Sequence, residues 1–315
     1  MEPAVLELTI VIPCYNEQEV LPETVHRIGA VLSGLVGRGK VAATSHICLV
    51  DDGSQDQTWV LIEQYAREQT FVRGIKLSRN RGHQNALLAG LTTATGGVVL
   101  SIDADLQDDV TAIEAMLDAH HAGADIVFGV RKLREADTFL KRFTAESYYR
   151  LLRLLGVDVV FNHADYRLMS RRAIEALREY SEVNLFLRGI IPQLGFRTAT
   201  IYYDRSERFA GESKYPLRKM LSLAWNGVTS FSAAPLRLIT GLGVLISLGS
   251  FGVALWAIFV RFATDMAVPG WTSTVVPIYF IGGIQLLAMG VIGEYLAKIY
   301  METKRRPRFV IERTV

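Results

Sequence analysis

The stretch VVLSIDADLQDD, from Val98 to Asp109, places four carboxylates directly after an apolar run. The apolar half has the length and the branched side chains of a buried strand, so the acids fall where that strand would end. Carboxylates at this spacing repel one another, and burying them is costly unless a cation offsets the charge. The stretch therefore indicates either a cation-dependent ligand site or a turn whose carboxylates stay in water.

Strand-like and helix-like segments alternate on both sides of this stretch, from residue 7 to residue 131. This order predicts an α/β fold, with a mainly parallel sheet and helices on both of its faces. The other predicted strands are ELTIVIP, HICLVDD, VRGIKLS and ADIVFGVR. The predicted helices lie in YNEQEVLPETVHRIGAVLSGL, TWVLIEQYAREQ, GHQNALLAGLTTA and VTAIEAMLDAHHAG.

Two of the predicted strands end in acids, at Asp51–Asp52 and at Asp103–Asp105. Ligands of open α/β sheets bind beyond the carboxyl ends of the strands. Asp103 and Asp105 leave an extended chain on the same side, and paired carboxylates suit Mg²⁺ or Mn²⁺ when a substrate diphosphate supplies further ligands. A G-x-G-x-x-G motif after the first strand and a G-x-x-x-x-G-K-[ST] motif are both absent from the sequence. A Rossmann dehydrogenase and a P-loop ATPase are therefore disfavoured.

Two long apolar stretches lie in the last third of the chain, at about 236–260 and 275–299. Each is long enough to cross a hydrocarbon core of about 30 Å as a helix. Lysines and arginines flank the outer ends of the pair, whereas the connecting loop carries only Arg261, offset by Asp265. The positive-inside rule therefore predicts a multi-pass hairpin in the cytoplasmic membrane, with the α/β domain and both termini in the cytosol.

The overall composition excludes several other classes. A net charge of +2 over 315 residues gives no global field for binding nucleic acid. Cys14 and Cys48 lie in strand-like runs and are expected to be buried thiols rather than a disulfide pair. Glu2 and Glu7 stand where a secretory signal would be basic, so no such signal is expected.

Several motifs follow one another along the chain: VIPCYNE, LVDDGSQDQT, LSRNRGHQNALLAGL, DADLQDD, NHADYRLMSRRAIEAL and ERFAGESKY. Together they resemble glycosyltransferase family 2, whose fold is the Rossmann-like GT-A fold. With the two apolar stretches, nearly the whole chain resembles the polyprenyl-phosphate glycosyltransferases, the group of dolichyl-phosphate mannose synthase and bacterial undecaprenyl-phosphate glucosyltransferases. The Q-x-x-R-W motif of processive members is absent, which favours the transfer of a single sugar.

The resemblance also implies roles for residues at the matching positions. The metal is expected at Asp103, Asp105 and Gln107, and Asp165 is expected near the sugar and acceptor, either as a general base or as a group that orients sugar hydroxyls. The expected catalytic set is Asp165, Asp103, Asp105, Arg208 and Lys214. The expected nucleotide-sugar contacts are Pro13, Tyr15, Asn16, Glu17, Asp52, Gly53, Ser54, Asp103, Ala104, Asp105, Arg131, Arg208, Ser213 and Lys214.

The patterns divide the chain into four parts. A cytosolic GT-A domain is expected at 1–212, a juxtamembrane interfacial helix at 213–234, a transmembrane hairpin at 235–300 and a basic cytosolic tail at 301–315. The interfacial helix is predicted because apolar and basic residues alternate in SKYPLRKMLSLAWNG, next to the first apolar stretch.

The reaction that the resemblance implies is an inverting, metal-dependent transfer of one sugar from a nucleotide sugar to a polyprenyl phosphate. The product would serve cell-envelope glycan modification. UDP-glucose is the favoured donor, with GDP-mannose, UDP-N-acetylglucosamine and UDP-4-deoxy-4-formamido-arabinose as alternatives. Mg²⁺ or Mn²⁺ is the expected cofactor, the membrane is a partner, nucleic acid is not, and a homo-oligomer is left open.

Two alternatives belong to other classes: a non-catalytic membrane scaffold and a component of a lipid flippase. The complete set of Asp103, Asp105, Gln107, Arg208 and Lys214 argues against a scaffold that has lost turnover. Two spans per chain are too few to enclose a path for a lipid unless many chains assemble.

Overall fold

An eight-stranded sheet forms the centre of the first part of the chain. The computed structural model describes residues 5–132, 163–182, 185–204, 234–263 and 270–315. Within them the strands are β1 (Leu8–Cys14), β2 (His46–Asp51), β3 (Val72–Leu77), β4 (Val98–Ser101), β5 (Ile126–Arg131), β6 (His163–Ser170), β7 (Thr198–Tyr203) and β8 (Ile311–Thr314). The sequence predicted the first five of these strands.

The sheet is mixed but mostly parallel, as predicted. Its strand order is β7-β5-β6-β4-β1-β2-β3-β8. Strands β1 to β5 and β7 share one direction, whereas β6 runs antiparallel between β4 and β5, and β8 runs antiparallel along the outer side of β3. The carboxyl ends of six strands therefore meet at one edge of the sheet.

Helices connect these strands and cover both faces of the sheet. They are α1 (Leu21–Gly37), α2 (Thr58–Glu68), α3 (His83–Thr93), α4 (Ala112–His121), α5 (Arg171–Arg178) and α6 (Leu187–Gln193). The first four were predicted from their apolar spacing, and α5 and α6 were not.

The central strand β1 shows how both faces are filled. It is buried along its whole length, and its side chains alternate between the two faces. Ile10 and Ile12 pack in one cluster with Ile28 of α1. On the opposite face Val11 lies against α3 at Gly90, where a Cβ would sit 2.3 Å from Val11 Cγ1. Glycine at that position lets α3 approach the sheet closely.

The described residues form two compact units. One unit holds the sheet with α1 to α6 and includes Arg306–Val315, so β8 belongs to it. Among the described residues, the other unit contains two long helices, α7 (Ala234–Ala263) and α8 (Trp271–Thr303). The predicted interfacial helix at 213–234 lies outside the described residues, apart from its last residue.

Two long helices therefore stand where the hairpin was predicted. Among the described residues one stretch, Phe280–Thr303, is long and apolar enough to cross a membrane, and none of it is buried within the structure. Membrane association is consistent with that stretch. A second span in α7, and with it the multi-pass topology, stays a prediction.

Candidate active site

The acid-bearing ends of β2 and β4 lie on either side of the end of β1, because β1 sits between these two strands. The Asp52 N–H donates to the Cys14 carbonyl at 2.9 Å, and the Ile102 N–H donates to the Val11 carbonyl at 3.1 Å. The segments that follow β1, β2 and β4 therefore leave the sheet together. This edge brings together the residues from Pro13 to Glu17, from Asp52 to Ser54, and from Asp103 to Gln107.

The loops after β1 and β2 are joined by hydrogen bonds. The Asn16 N–H donates to Ser54 Oγ at 3.0 Å, and Asn16 Oδ1 accepts from the Gln55 N–H at 2.8 Å. The Glu17 N–H donates to Thr58 Oγ1 at 2.8 Å. Asn16 holds a left-handed backbone, with φ of 56°. The predicted nucleotide-binding segments thus form one linked surface.

Asp52 is a buried carboxylate that shapes a third loop. Its two oxygens accept from the N–H groups of Arg81 and Gly82, at 2.7 and 2.8 Å. Burial raises the pKa of Asp52, and these two hydrogen bonds offset part of that effect. Its carboxylate therefore fixes the RNRG loop that begins α3, and its contact with a nucleoside stays a prediction.

Asp103 and Asp105 lie just beyond β4. Asp103 Oδ1 is buried and accepts no hydrogen bond from the described residues. Burial raises the pKa of Asp103 to about 6, and the charges of Asp165, Asp108 and Asp105 act in the same direction, against His83. Asp105 Oδ1 accepts from the Gln107 N–H at 3.2 Å. His83 Nε2 lies 3.5 Å from Asp103 Oδ1, and three further carboxylates add negative charge around Asp103.

This arrangement fits a divalent cation whose ligands come partly from the protein and partly from a substrate. The described residues contain no group of three or more His, Cys, Asp or Glu side chains able to hold a metal by themselves. Mg²⁺ in phosphate-handling sites is bound by one or two carboxylates plus substrate phosphates. The orphaned Asp103 oxygen and the neighbouring Asp105 match that donor set, with Gln107 beside them.

Asp165, on β6, is enclosed by nitrogen atoms. Its carboxylate pairs with Arg167, the next inward residue of the same strand. Arg188 of α6 contacts both oxygens, with Nε 3.3 Å from Oδ1 and Nη2 3.2 Å from Oδ2. From α3, His83 Nε2 and Gln84 Nε2 lie 3.2 and 3.3 Å from Oδ2. Three elements therefore converge on one carboxylate.

The electrostatics around Asp165 follow from these contacts. Burial alone would raise the pKa of Asp165, but Arg167, His83 and Arg188 outweigh it and hold the pKa well below its ordinary value. Burial alone would lower the pKa of His83, but Asp165 and Asp103 outweigh it and the pKa is raised. Asp165 is thus a persistent anion with cationic neighbours.

Asp108 and Asp109, the last two acids of the stretch Val98–Asp109, form hydrogen bonds with neighbouring residues of the protein. Arg131, at the end of β5, contacts Asp108 through Nε and Nη2 at 3.2 and 3.0 Å, and the Tyr203 hydroxyl donates to the same oxygen. Asp109 Oδ1 accepts from the Thr111 N–H at 2.9 Å. Asp108 and Asp109 therefore fix the turn, and Arg131 holds Asp108. The expected contact between Arg131 and the donor stays a prediction.

Some of the expected residues are not described, and some described ones were not expected. Arg208, Ser213 and Lys214 lie outside the described residues. His83, Gln84, Arg167 and Arg188 surround Asp165 but are absent from the expected set. Only His83 carried a sequence signal, because it follows the loop after β3 at the carboxyl edge. Arg167 follows Asp165 by two positions on β6 and so shares its face of the strand, whereas Arg188 is brought close by a tertiary contact that has no local pattern.

With the site's geometry established, comparison with known proteins identifies the class. The family model Glycosyl transferase family 2 matches residues 9–178. The chain belongs to this family, and its fold and enzyme class are those of a glycosyltransferase. Among solved structures, mannosyl-3-phosphoglycerate synthase from Rubrobacter xylanophilus is similar in fold, with a TM-score of 0.52, 18% identity, and coverage of 76% of this chain and 75% of that one.

Several relatives match this chain over nearly the whole length of both proteins. The uncharacterized glycosyltransferase YkoT of Bacillus subtilis (strain 168) is 49% identical over 97% of this chain and 91% of its own length. The bactoprenol glucosyl transferase of Shigella phage SfX is 38% identical over 98% of this chain and 99% of its own. The prophage bactoprenol glucosyl transferase homolog of Escherichia coli (strain K12) is 37% identical with the same coverage.

Proposed function

We propose that this glycosyltransferase moves one glucose from UDP-glucose to undecaprenyl phosphate at the cytosolic face of the membrane. The observation that carries the proposal is the likeness, over almost the full length of both chains, to the bactoprenol glucosyl transferase of Shigella phage SfX. A likeness of that extent includes the α/β domain and both long helices. It therefore extends to the parts that would meet the donor and the lipid.

The acids after β4 supply the proposed metal site. Asp103 and Asp105, with Gln107, would hold Mg²⁺ or Mn²⁺ against the donor diphosphate. The bound cation would neutralise the negative charge that builds on the departing diphosphate. The proposal rests on the buried Asp103 oxygen, which accepts no hydrogen bond from the described residues, and on the closeness of Asp105 and Gln107, which are joined by a hydrogen bond at 3.2 Å.

The proposed transfer depends more on how the two substrates are placed than on a strong general base. A phosphate monoester has a second pKa of about 6, so the acceptor is mostly dianionic at neutral pH. One of its oxygens would bond to the anomeric carbon while the bond from that carbon to the diphosphate breaks, and the electron pair leaves with UDP. Direct displacement inverts the anomeric centre. Holding two anions together is then the main task of the site.

The two long helices support a membrane lipid as the acceptor. A polyprenyl chain leaves the bilayer only at a cost of about 0.8 kcal/mol for each buried CH₂, so the site must come to the membrane. The stretch Phe280–Thr303 has the length and composition of a span. In α7, large apolar side chains such as Leu245, Leu248 and Phe251 are exposed, which suits contact with lipid. We propose that both helices span the membrane, with Arg208 and Lys214 on the cytosolic side near the phosphates.

The test is transfer of label from nucleotide sugars into lipid. Purified protein in lipid would receive undecaprenyl phosphate, Mg²⁺ and one of a panel of radiolabelled nucleotide sugars, and the organic-extractable label would be counted. We expect label from UDP-glucose above label from GDP-mannose or UDP-N-acetylglucosamine. Absence of extractable label with every donor would contradict the proposal.

A matched pair of variants tests the metal site in the same assay. Asp105→Ala should reduce transfer by at least about a hundredfold, because charge stabilisation of the leaving group is lost. Asp118→Ala is the control, since Asp118 is exposed and pairs with Lys40 on the surface. Full turnover by Asp105→Ala would show that the metal assignment is wrong.

A further inference from the structure

The acceptor capacity of Asp165 is already filled by the protein. A carboxylate offers about four lone-pair positions. Five nitrogen atoms from Arg167, Arg188, His83 and Gln84 surround its two oxygens. The side chain of Asp165 is only 3% exposed. An incoming hydroxyl or phosphate would have to displace one of these contacts before its proton could reach Asp165.

The four side chains that contact Asp165 differ in how far they are exposed to solvent. Arg167 is fully buried and lies beneath Asp165, and Gln84 turns its Oε1 to the Leu187 N–H at 3.0 Å. The side chains of Arg188 and His83 are 39% and 43% exposed, so they extend from the buried carboxylate toward solvent. His83 Nε2 also lies 3.5 Å from Asp103 Oδ1. His83 therefore lies between Asp165 and Asp103, and Arg188 contacts the same Asp165 oxygen, Oδ2, as His83.

Arg188 is held in a defined orientation. Its Nε and Nη2 contact the two Asp165 oxygens side by side, which is the paired geometry that fixes the plane of a guanidinium. Gln84 links the start of α6 to α3 by accepting from the Leu187 N–H. A guanidinium fixed in this way binds a phosphate with little further loss of conformational freedom.

We propose that Asp165 is a positioning residue rather than the proton acceptor, and that Arg188 and His83, which it holds, contact phosphate groups of the substrates. The inference rests on the proposed function and adds residues to the same site. The phosphate is either that of the lipid or the diphosphate of the donor. Asp165 then acts through the two side chains and does not touch the reacting atoms.

A double-mutant cycle tests whether Asp165 acts through Arg188. Full-length Asp165→Asn, Arg188→Lys and the double variant would be compared in lipid, with donor and lipid phosphate varied separately. We expect each single variant to raise KM for the same substrate about tenfold, and the double variant to be no worse than the poorer single one. The substrate whose KM rises identifies the phosphate. Arg27→Lys is the control, because Arg27 pairs with Glu23 on the exposed face of α1.

Two results would overturn the inference. One is effects that multiply to about a hundredfold in the double variant, which would mean that the two side chains act independently. The other is Arg188→Lys behaving like Arg27→Lys. If Asp165→Asn does not fold, Arg188→Lys and His83→Gln still decide the matter, since each should raise KM for a phosphate-bearing substrate.

The pH profile separates positioning from proton transfer. A positioning role predicts that Asp165→Asn lowers kcat/KM at every pH but leaves the shape of the profile as in the wild type. Loss of the acidic limb in Asp165→Asn would identify Asp165 as the base. Binding is measured separately by titrating UDP with Mn²⁺, and undecaprenyl phosphate, into each protein.

The binding measurement also keeps the inference distinct from the proposed function. An inactive wild-type protein would contradict the proposed function alone. Arg188→Lys should still weaken the binding of one of the two phosphate ligands about tenfold. Unchanged affinity for both ligands would overturn the inference.

Discussion

At the residue scale, the role of each buried aspartate depends on the groups that contact its carboxylate. Asp165 is matched by arginines, Asp108 by Arg131, and Asp52 by backbone N–H groups. Asp103 keeps a buried oxygen without a hydrogen bond from the described residues. These four aspartates are therefore not equivalent, and Asp103 lies where a cation is proposed.

Gly53 gives a prediction about the turn after β2. It has φ of 69°, and a Cβ there would lie 2.6 Å from the Asn80 backbone nitrogen. Gly53→Ala should therefore lower the free energy of unfolding by about 2 kcal/mol or more, through strain and a clash with backbone. Denaturant unfolding of the full-length protein in detergent measures this change.

Gly39 provides a matched control, because its φ is 66° but open space surrounds the position of its Cβ. Gly39→Ala should cost only the backbone strain, about 1 kcal/mol. Equal destabilisation by the two variants would show that the approach of the Asn80 loop does not constrain Gly53.

At the element scale, the sequence predicted the parallel half of the sheet better than the rest. Strands β1, β2, β4 and β5 are largely apolar runs, because strands covered on both faces bury nearly all of their side chains. Strand β3 is less uniform, since Arg73 is exposed. Strand β6 carries the buried polar residues Asp165 and Arg167, so its composition hides its position in the core. Strands β7 and β8 are partly or fully exposed, so they are not the buried apolar runs that marked the predicted strands.

The candidate active site likewise has one part that the sequence predicted and one part that it did not. The acids at the ends of β2 and β4 could be predicted, because strand ends in a parallel sheet share an edge. The surroundings of Asp165 could not, since they depend on an antiparallel strand inserted between β4 and β5 and on side chains from α3 and α6. The family resemblance pointed to Asp165 itself but gave no sign of Arg188.

The junction of β5 and β6 gives a pH-dependent prediction. Hydrogen bonds and charge from Arg172, with a hydrogen bond from Ser170, lower the pKa of Asp125. A lowered pKa means that the stabilisation is present above the ordinary Asp pKa of about 4 and is lost as the pH falls through the folded-state value. Asp125→Asn should therefore reduce the free energy of unfolding by about 1 kcal/mol at pH 7.

The pH series supplies the check on this prediction. The difference between Asp125→Asn and wild type in thermal unfolding should shrink as the pH is lowered below about 4. Glu175→Gln is the control, because Glu175 makes exposed ion pairs with Arg171 and Arg178 and should change little at any pH. A difference that stays constant from pH 7 to pH 2 would contradict the assignment.

At the scale of the whole molecule, the chain returns to the sheet after its second long helix. The N–H and carbonyl groups of Gly74 and Val315 bond reciprocally, at 2.8 and 2.9 Å, and β8 covers the outer edge of β3. Removing residues 311–315 should expose that edge, lower the thermal stability and promote self-association, because an uncovered strand offers unpaired backbone groups. Size-exclusion chromatography and thermal unfolding would measure both effects.

A substitution in the same strand separates edge covering from surface charge. Arg313→Gln removes an exposed ion pair with Glu63 and should leave stability and association nearly unchanged. A truncated protein as stable and as dispersed as Arg313→Gln would mean that β8 does not protect the sheet edge.

The central claim is that Asp103 and Asp105 hold a divalent cation against the diphosphate of the donor. The most direct measurement is anomalous diffraction near the manganese edge from crystals grown with UDP-glucose and Mn²⁺. We predict an anomalous peak between the two carboxylates and the diphosphate. Clear density for the nucleotide with no anomalous peak beside Asp103 and Asp105 would contradict the account.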